Sequence, residues 1–138
     1  MSTVDISLQP TETWVAENRS WLGSRDGTEV TQSITLATST FTEGTHYPDG
    51  YVKSGTLLGE ITAVGATQGM YGPYDNAASD GRETAVGFLF SSVKMRASGP
   101  NVGAAIHWRG VIRAAKLPTN HGLDANARTE LAAKFWIR

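Results

Sequence analysis

Residues 84–93, TAVGFLFSSV, are apolar on both alternations of a strand, with Val86, Phe88 and Phe90 on one side and Ala85 and Leu89 on the other. Successive side chains of a strand point to opposite faces, so this segment must be covered twice. It predicts a strand at the centre of the core, and it obliges the rest of the chain to supply a layer on each side. With 138 residues, that means one domain with a core adequate but not large.

The remaining strand signals are short and punctuated by turns. In EVTQSITLA (29–37), Val30, Ile34 and Leu36 share one face while Thr31, Ser33 and Thr35 share the other. SGTLLGEITAV (54–64) predicts a strand in which Gly59 marks a bulge or a close backbone approach. AAIHWRGVIRA (104–114) predicts a half-buried strand with Ile106, Trp108 and Ile112 inward and His107, Arg109 and Arg113 outward. FTEGTHYPDG (41–50) is a loop whose Pro48, Asp49 and Gly50 suit a tight turn, because proline presets φ and glycine tolerates the closing position. One helix is predicted, over 124–134. Asp124 caps it, Ala127, Leu131 and Phe135 form its apolar stripe, and Glu130 with Lys134 makes an i,i+4 pair worth about 0.3 kcal/mol. Residues 135–138 finish as a short strand. The fold class is therefore mainly β (α+β): a compact, short-stranded β domain with one C-terminal helix.

Residues 1–27 read differently, as an extended N-terminal arm ahead of a β-rich domain at 28–138. Val4, Ile6 and Leu8 alternate with polar residues until Pro10 stops the ladder, and no local strand is available to pair with them. Trp14, Trp21 and Leu22 follow in polar sequence. The arm either docks on the chain's own body or adds as a strand to a partner's edge, where backbone bonds give affinity and alternate side chains fill pockets.

Charge is segregated along the chain. Residues 1–27 carry −2, residues 28–93 carry −5 and residues 94–138 carry +6, which leaves −1 overall. The basic residues are spread over alternating positions without a dense patch, so the pattern favours acidic and basic elements facing each other within or between subunits over a nucleic-acid surface. With no cysteine, disulfides, thiolate metal sites and a cysteine nucleophile are excluded. No basic start followed by an apolar run is present, nor a bilayer-length apolar stretch, and the expectation is a soluble cytoplasmic product.

Tests for chemistry return little. The loop GPYDNAASDGRETAVGFL (72–89) is rich in acids, yet counted from Asp75 its third, fifth and sixth positions are Ala77, Ser79 and Asp80, which is not a calcium-loop pattern. His46, His107 and His121 are widely separated and give no metal-ligand spacing. No nucleophile elbow or phosphate loop occurs. The loop reads as a shaped connection: YGPY (71–74) as a rigid corner, Asp75, Ser79 and Asp80 as backbone acceptors, Gly81 as the turn residue.

SGTLLGEITA (54–63) followed by YGPYDNAASDGRETAVGFLF (71–90) resembles the head decoration proteins of tailed bacteriophages, the family that includes the lambda decoration protein. The resemblance extends to IHWRGVI (106–112) and to the Ala-rich helix with its apolar end, so it covers roughly residues 28–138. It implies a non-enzymatic protein without cofactor or metal. Such a protein binds as homotrimers to the major capsid protein on the outer surface of the expanded head and stabilises it against internal DNA pressure. Assembly would take place in the host cytoplasm, with neither membrane nor nucleic acid as a direct partner. Candidate capsid-binding residues on the arm are Val4, Ile6, Leu8, Trp14 and Trp21. Candidate trimer or loop contacts are Tyr71, Tyr74, Asp75, Asp80 and Arg109. The competing reading is a trimeric β-rich carbohydrate- or nucleotide-binding module using Tyr47, Tyr71, Tyr74 and Trp108. Behind it stands a small trimeric nucleotide hydrolase, for which only Asp75, Asp80 and Glu83 could hold magnesium.

Overall fold

The computed structural model describes residues 17–138. The expected arm residues Val4, Ile6, Leu8 and Trp14 lie outside that range. Along the chain run β1 (Gln32–Leu36), a one-turn helix α1 (Glu43–His46), β2 (Tyr51–Val52), β3 (Leu57–Glu60), β4 (Tyr71–Pro73), β5 (Gly87–Leu89), β6 (Val93–Lys94), β7 (Val102–His107), β8 (Gly110–Ile112), α2 (Ala125–Leu131) and β9 (Phe135–Ile137). Five strands close into a barrel in the order β1-β4-β3-β5-β7, β7 returning to β1 through five antiparallel pairs from Gln32–Ile106 to Leu36–Val102. Two small ribbons flank it, antiparallel β2-β6 and parallel β8-β9. The mainly β architecture with one substantial helix near the C-terminus is as the sequence predicts.

The doubly apolar strand sits at the centre of the core as its pattern demands, but ahead of Gly87, where β5 has not yet begun, the expected faces are exchanged: Ala85 lies in the layer of Phe88 and Val86 packs on that of Leu89. β5 lies between β3 and β7, and its two faces enter different clusters. Phe88 joins Trp21, Leu57, Tyr74, Ala85, Ile112, Ala127, Leu131 and Phe135, the layer closed by α2 and the β8-β9 ribbon. Leu89 joins Leu36, Phe41, Tyr47, Val52, Leu58, Met95 and Ile106. Adjacent residues Leu57 and Leu58 of β3 are divided in the same way. A period of two is therefore what builds both layers. Gly59 is a close approach: a Cβ there would stand 2.8 Å from the Arg82 backbone and 2.9 Å from the Thr84 carbonyl.

Three further expectations are corrected. The strand predicted over 104–114 is broken after His107, and Gly110, at φ +135°, restarts it as β8. Before the break, the end of β7 is covered on both faces, Ile106 entering the Leu36 cluster and His107 lying against the rings of Trp21, Phe90 and Phe135. His107 is fully buried instead of facing outward, and Trp108 is half-buried, its indole N–H donating to the Val30 carbonyl at 2.6 Å. Trp108→Ala is accordingly expected to cost about 1–3 kcal/mol in denaturant unfolding, below the range for a fully buried tryptophan. The helix stops at Leu131, because the chain must turn for Phe135–Ile137 to pair with β8; Lys134 falls outside it and cannot serve as the i+4 partner of Glu130. Trp21, expected on the arm, is instead in the core with no exposed surface. Leu22 bridges to Ile112, the Gly23 N–H donates to the Val111 carbonyl and the Arg113 N–H to the Trp21 carbonyl, both at 2.7 Å. These bonds make the neighbourhood of Trp21 a third strand-like edge on the β8-β9 ribbon.

Candidate functional site

The connection from β4 to β5 is fixed by its own polar side chains. The Asp75 carboxylate accepts from the Ala77 N–H (2.9 Å), Asp80 from the Arg82 N–H (3.2 Å) and guanidinium (3.0 Å), and Glu83 from the Gly81 N–H (2.8 Å). Gly81 itself takes φ +114°. Burial works to raise the Asp80 carboxyl, but the hydrogen bonds and charge of Arg82 outweigh it and hold the group below its ordinary value. Each acid is thus engaged locally. Among the described residues no three His, Asp or Glu side chains gather as a metal-ligand group.

Tyr71 is half-buried, paired with Glu60 on one side and Leu36 on the other. Burial and the Glu60 carboxylate raise its phenol. Tyr74 is buried, and its hydroxyl donates to Asp124 at 3.1 Å. Burial first, then that hydrogen bond and the surrounding carboxylates, push its pKa up to about 12. Asp124 works twice, since the same oxygen caps α2 by accepting from the Ala127 N–H at 2.8 Å. Asp124→Ala removes the cap and strands the phenol. The expected loss is about 1–2 kcal/mol of unfolding free energy, read from urea titration, and Asp124→Asn should recover part of it.

Arg109 is on the corner between β7 and β8, where it pairs with Asp26 at 2.7 Å, both side chains about half exposed. Tyr71, Tyr74, Asp75 and Asp80 share one connection; Arg109 belongs to a different one. Tyr47 and Tyr74 are buried, so neither offers a ring face for a sugar or base to stack on. At the start of the described chain, a cleft of about 340 Å³ is lined by Asn18, Lys53, Ser54, Ser92, Lys116 and Thr119, among others.

Beside that cleft the root of the arm is tied to the barrel. Glu17 accepts from the Ser92 N–H at 2.8 Å, and the Arg19 guanidinium donates to the Phe90 carbonyl at 3.0 Å while lying 4.6 Å over the Phe90 ring. Val30, expected on the apolar face with Ile34 and Leu36, lies ahead of β1 and is 46% exposed, and among the described residues sequence reasoning also missed the exposure of Val64 (93%) and Trp136 (65%). The alternation Phe135-in, Trp136-out was the signal for the last of these.

A sequence model of the family described as bacteriophage lambda head decoration protein D matches residues 17–135. No curated protein and no solved structure matches the chain.

Proposed function

The chain belongs to the bacteriophage lambda head decoration protein D family, and is thus a phage head decoration protein, a structural, capsid-binding component of the virion; from that premise we propose that it acts without catalysis, as a homotrimer on the outer surface of the expanded head, where it stabilises the shell against the pressure of packaged DNA. The observation that carries the reading is the family match, which runs from the root of the arm through the barrel and α2 to Phe135. Weak contacts repeated over a symmetric shell give avidity with no reacting group. Val4, Ile6 and Leu8 would add as a strand to an edge of the major capsid protein, with Trp14 behind them.

Tension on such an arm would pass through Glu17 and Arg19 to residues 90–92, and through Trp21 to the core. Its root therefore grips the strand buried on both faces. The experiment is co-sedimentation with purified expanded and unexpanded capsids, comparing the full chain with one lacking residues 1–16. Saturable binding to expanded shells, lost with the arm, is the expected result. Undiminished binding of the shortened chain would remove the arm from the interface, and no binding of the full chain to either shell would refute the proposal.

A further inference from the structure

We propose that copies of this chain join head to tail, the outer edge of β9 on one copy receiving the 62–69 turn of the next. The inference rests on the homotrimer reading and names the surfaces that would make it.

β9 pairs with β8 on one side only, among the described strands, so its other edge is open. Trp136 projects from the ribbon's outer face beside that edge, 65% exposed, with the Arg138 guanidinium 5.0 Å over its ring. Tryptophan and arginine are the side chains that most often dominate association energy once water is excluded around them. The surroundings are cationic. Residues 112–138 carry five Lys and Arg against Asp124 and Glu130, and Asp124 is engaged as the α2 cap. Arg113, Lys116, Lys134 and Arg138 make no ion pair with a described residue.

The complementary surface is on the same chain. Val64 stands 93% exposed on the turn between β3 and β4, with Glu60 and, on the segment bonded to Thr62, Glu83 as the acids beside an Asp80–Arg82 pair that cancels. That turn is held in shape by backbone bonds: Ile61 N–H to Met70 (2.8 Å), Gly69 N–H to Ile61 (2.8 Å), Thr62 N–H to Asp80 (2.8 Å) and Met70 N–H to Thr67 (3.0 Å). A pre-ordered apolar knob loses little freedom on docking. Its acidic flank matches the basic flank of Trp136.

The two patches do not overlap. The β3-β4 hairpin begins and ends at Leu57 and Tyr74, within the layer that contains Phe135, whereas the turn lies at the hairpin's other end. Two separate, complementary patches make a heterologous contact, which closes into a ring when the rotation allows.

The test is sedimentation equilibrium on the full chain and on two variants, Trp136→Asp and Val64→Asp. The full chain should be a trimer, and each variant alone a monomer, with association weakened at least about 30-fold. Mixed in equal amounts, the two variants should form a one-to-one dimer, since each retains the patch the other has lost. Arg138→Glu, which leaves the indole in place, should weaken association at low salt and less so at high salt. Variants that remain fully trimeric, or a mixture that yields no dimer, would overturn the contact while leaving the trimer and the decoration role standing. A full chain that is monomeric would overturn the trimer itself, and this contact with it.

Discussion

Replacing Trp21 by alanine is expected to destabilise the protein by about 3–5 kcal/mol, the cost of deleting a fully buried indole from a core that cannot collapse around the void. Trp21 has no exposed surface, packs 5.7 Å from the ring of Phe88 and 5.7 Å from that of His107, and donates from Nε1 to Ser54 Oγ at 3.1 Å. The backbone is shaped around it. Gly55, at φ +97°, would place a Cβ 3.0 Å from the indole, so the segment leading into β3 already needs the absence of a side chain there. Little in this wall can move inward. The measurement is urea unfolding followed by far-ultraviolet circular dichroism, with an unchanged denaturant slope and a lower midpoint as the expected signature. Trp21→Phe should keep most of the packing and lose the Ser54 bond, for an intermediate cost. A loss under about 1 kcal/mol for the alanine variant would show that the segment around Trp21 is not part of the cooperative unit, and would return it to the arm.

That tryptophan also marks where sequence reading stops. Phe88 and Leu89, Leu57 and Leu58, Gly59, the turn at Pro48–Gly50 (Gly50 N–H to the Tyr47 carbonyl, 3.1 Å) and the Asp124 cap were legible, because each is decided by local alternation or local backbone geometry. Trp21 was not, since its partners lie at Ser54, Phe88 and Ile112, and nothing near residue 21 encodes them. The burial of His107 was hidden for another reason. The end of β7 is covered on both faces, Ile106 entering one layer and His107 the other, and a polar residue on the alternate face of a strand carries no sign that a second layer covers it. Of the candidate contacts, Tyr71, Tyr74, Asp75 and Asp80 are brought together as one connection, but a sequence cannot say whether such a connection faces solvent or a neighbour. Exposure of Val64 and Trp136 becomes visible only once the barrel and ribbon are formed.

His107 gives the second large effect, a fall in stability on mild acidification. Its ring is fully buried among Trp21, Phe90 and Phe135, and neither nitrogen has a hydrogen-bond partner among the described residues. Burial lowers its pKa; Asp26 and the Gly27 backbone oppose this without reversing it, and Asp26 is itself occupied by Arg109. The folded protein therefore keeps the imidazole neutral at pH values where the unfolded chain, titrating near 6.5, has already bound a proton. Below pH 6.5 the unfolded state carries more protons, and stability must fall as pH falls, by up to about 1.4 kcal/mol per pH unit for this one group, until the lowered folded value is reached. His46 and His121 are also lowered, chiefly by burial, and add to the slope in the same direction. A His107→Phe variant separates them. Its absolute stability can shift either way with repacking, but its slope between pH 7.5 and 5 should be shallower by about one proton. Equal slopes for the two proteins would mean that His107 takes up its proton in the folded state, and that the cage of Trp21, Phe90 and Phe135 opens to water before the fold is lost.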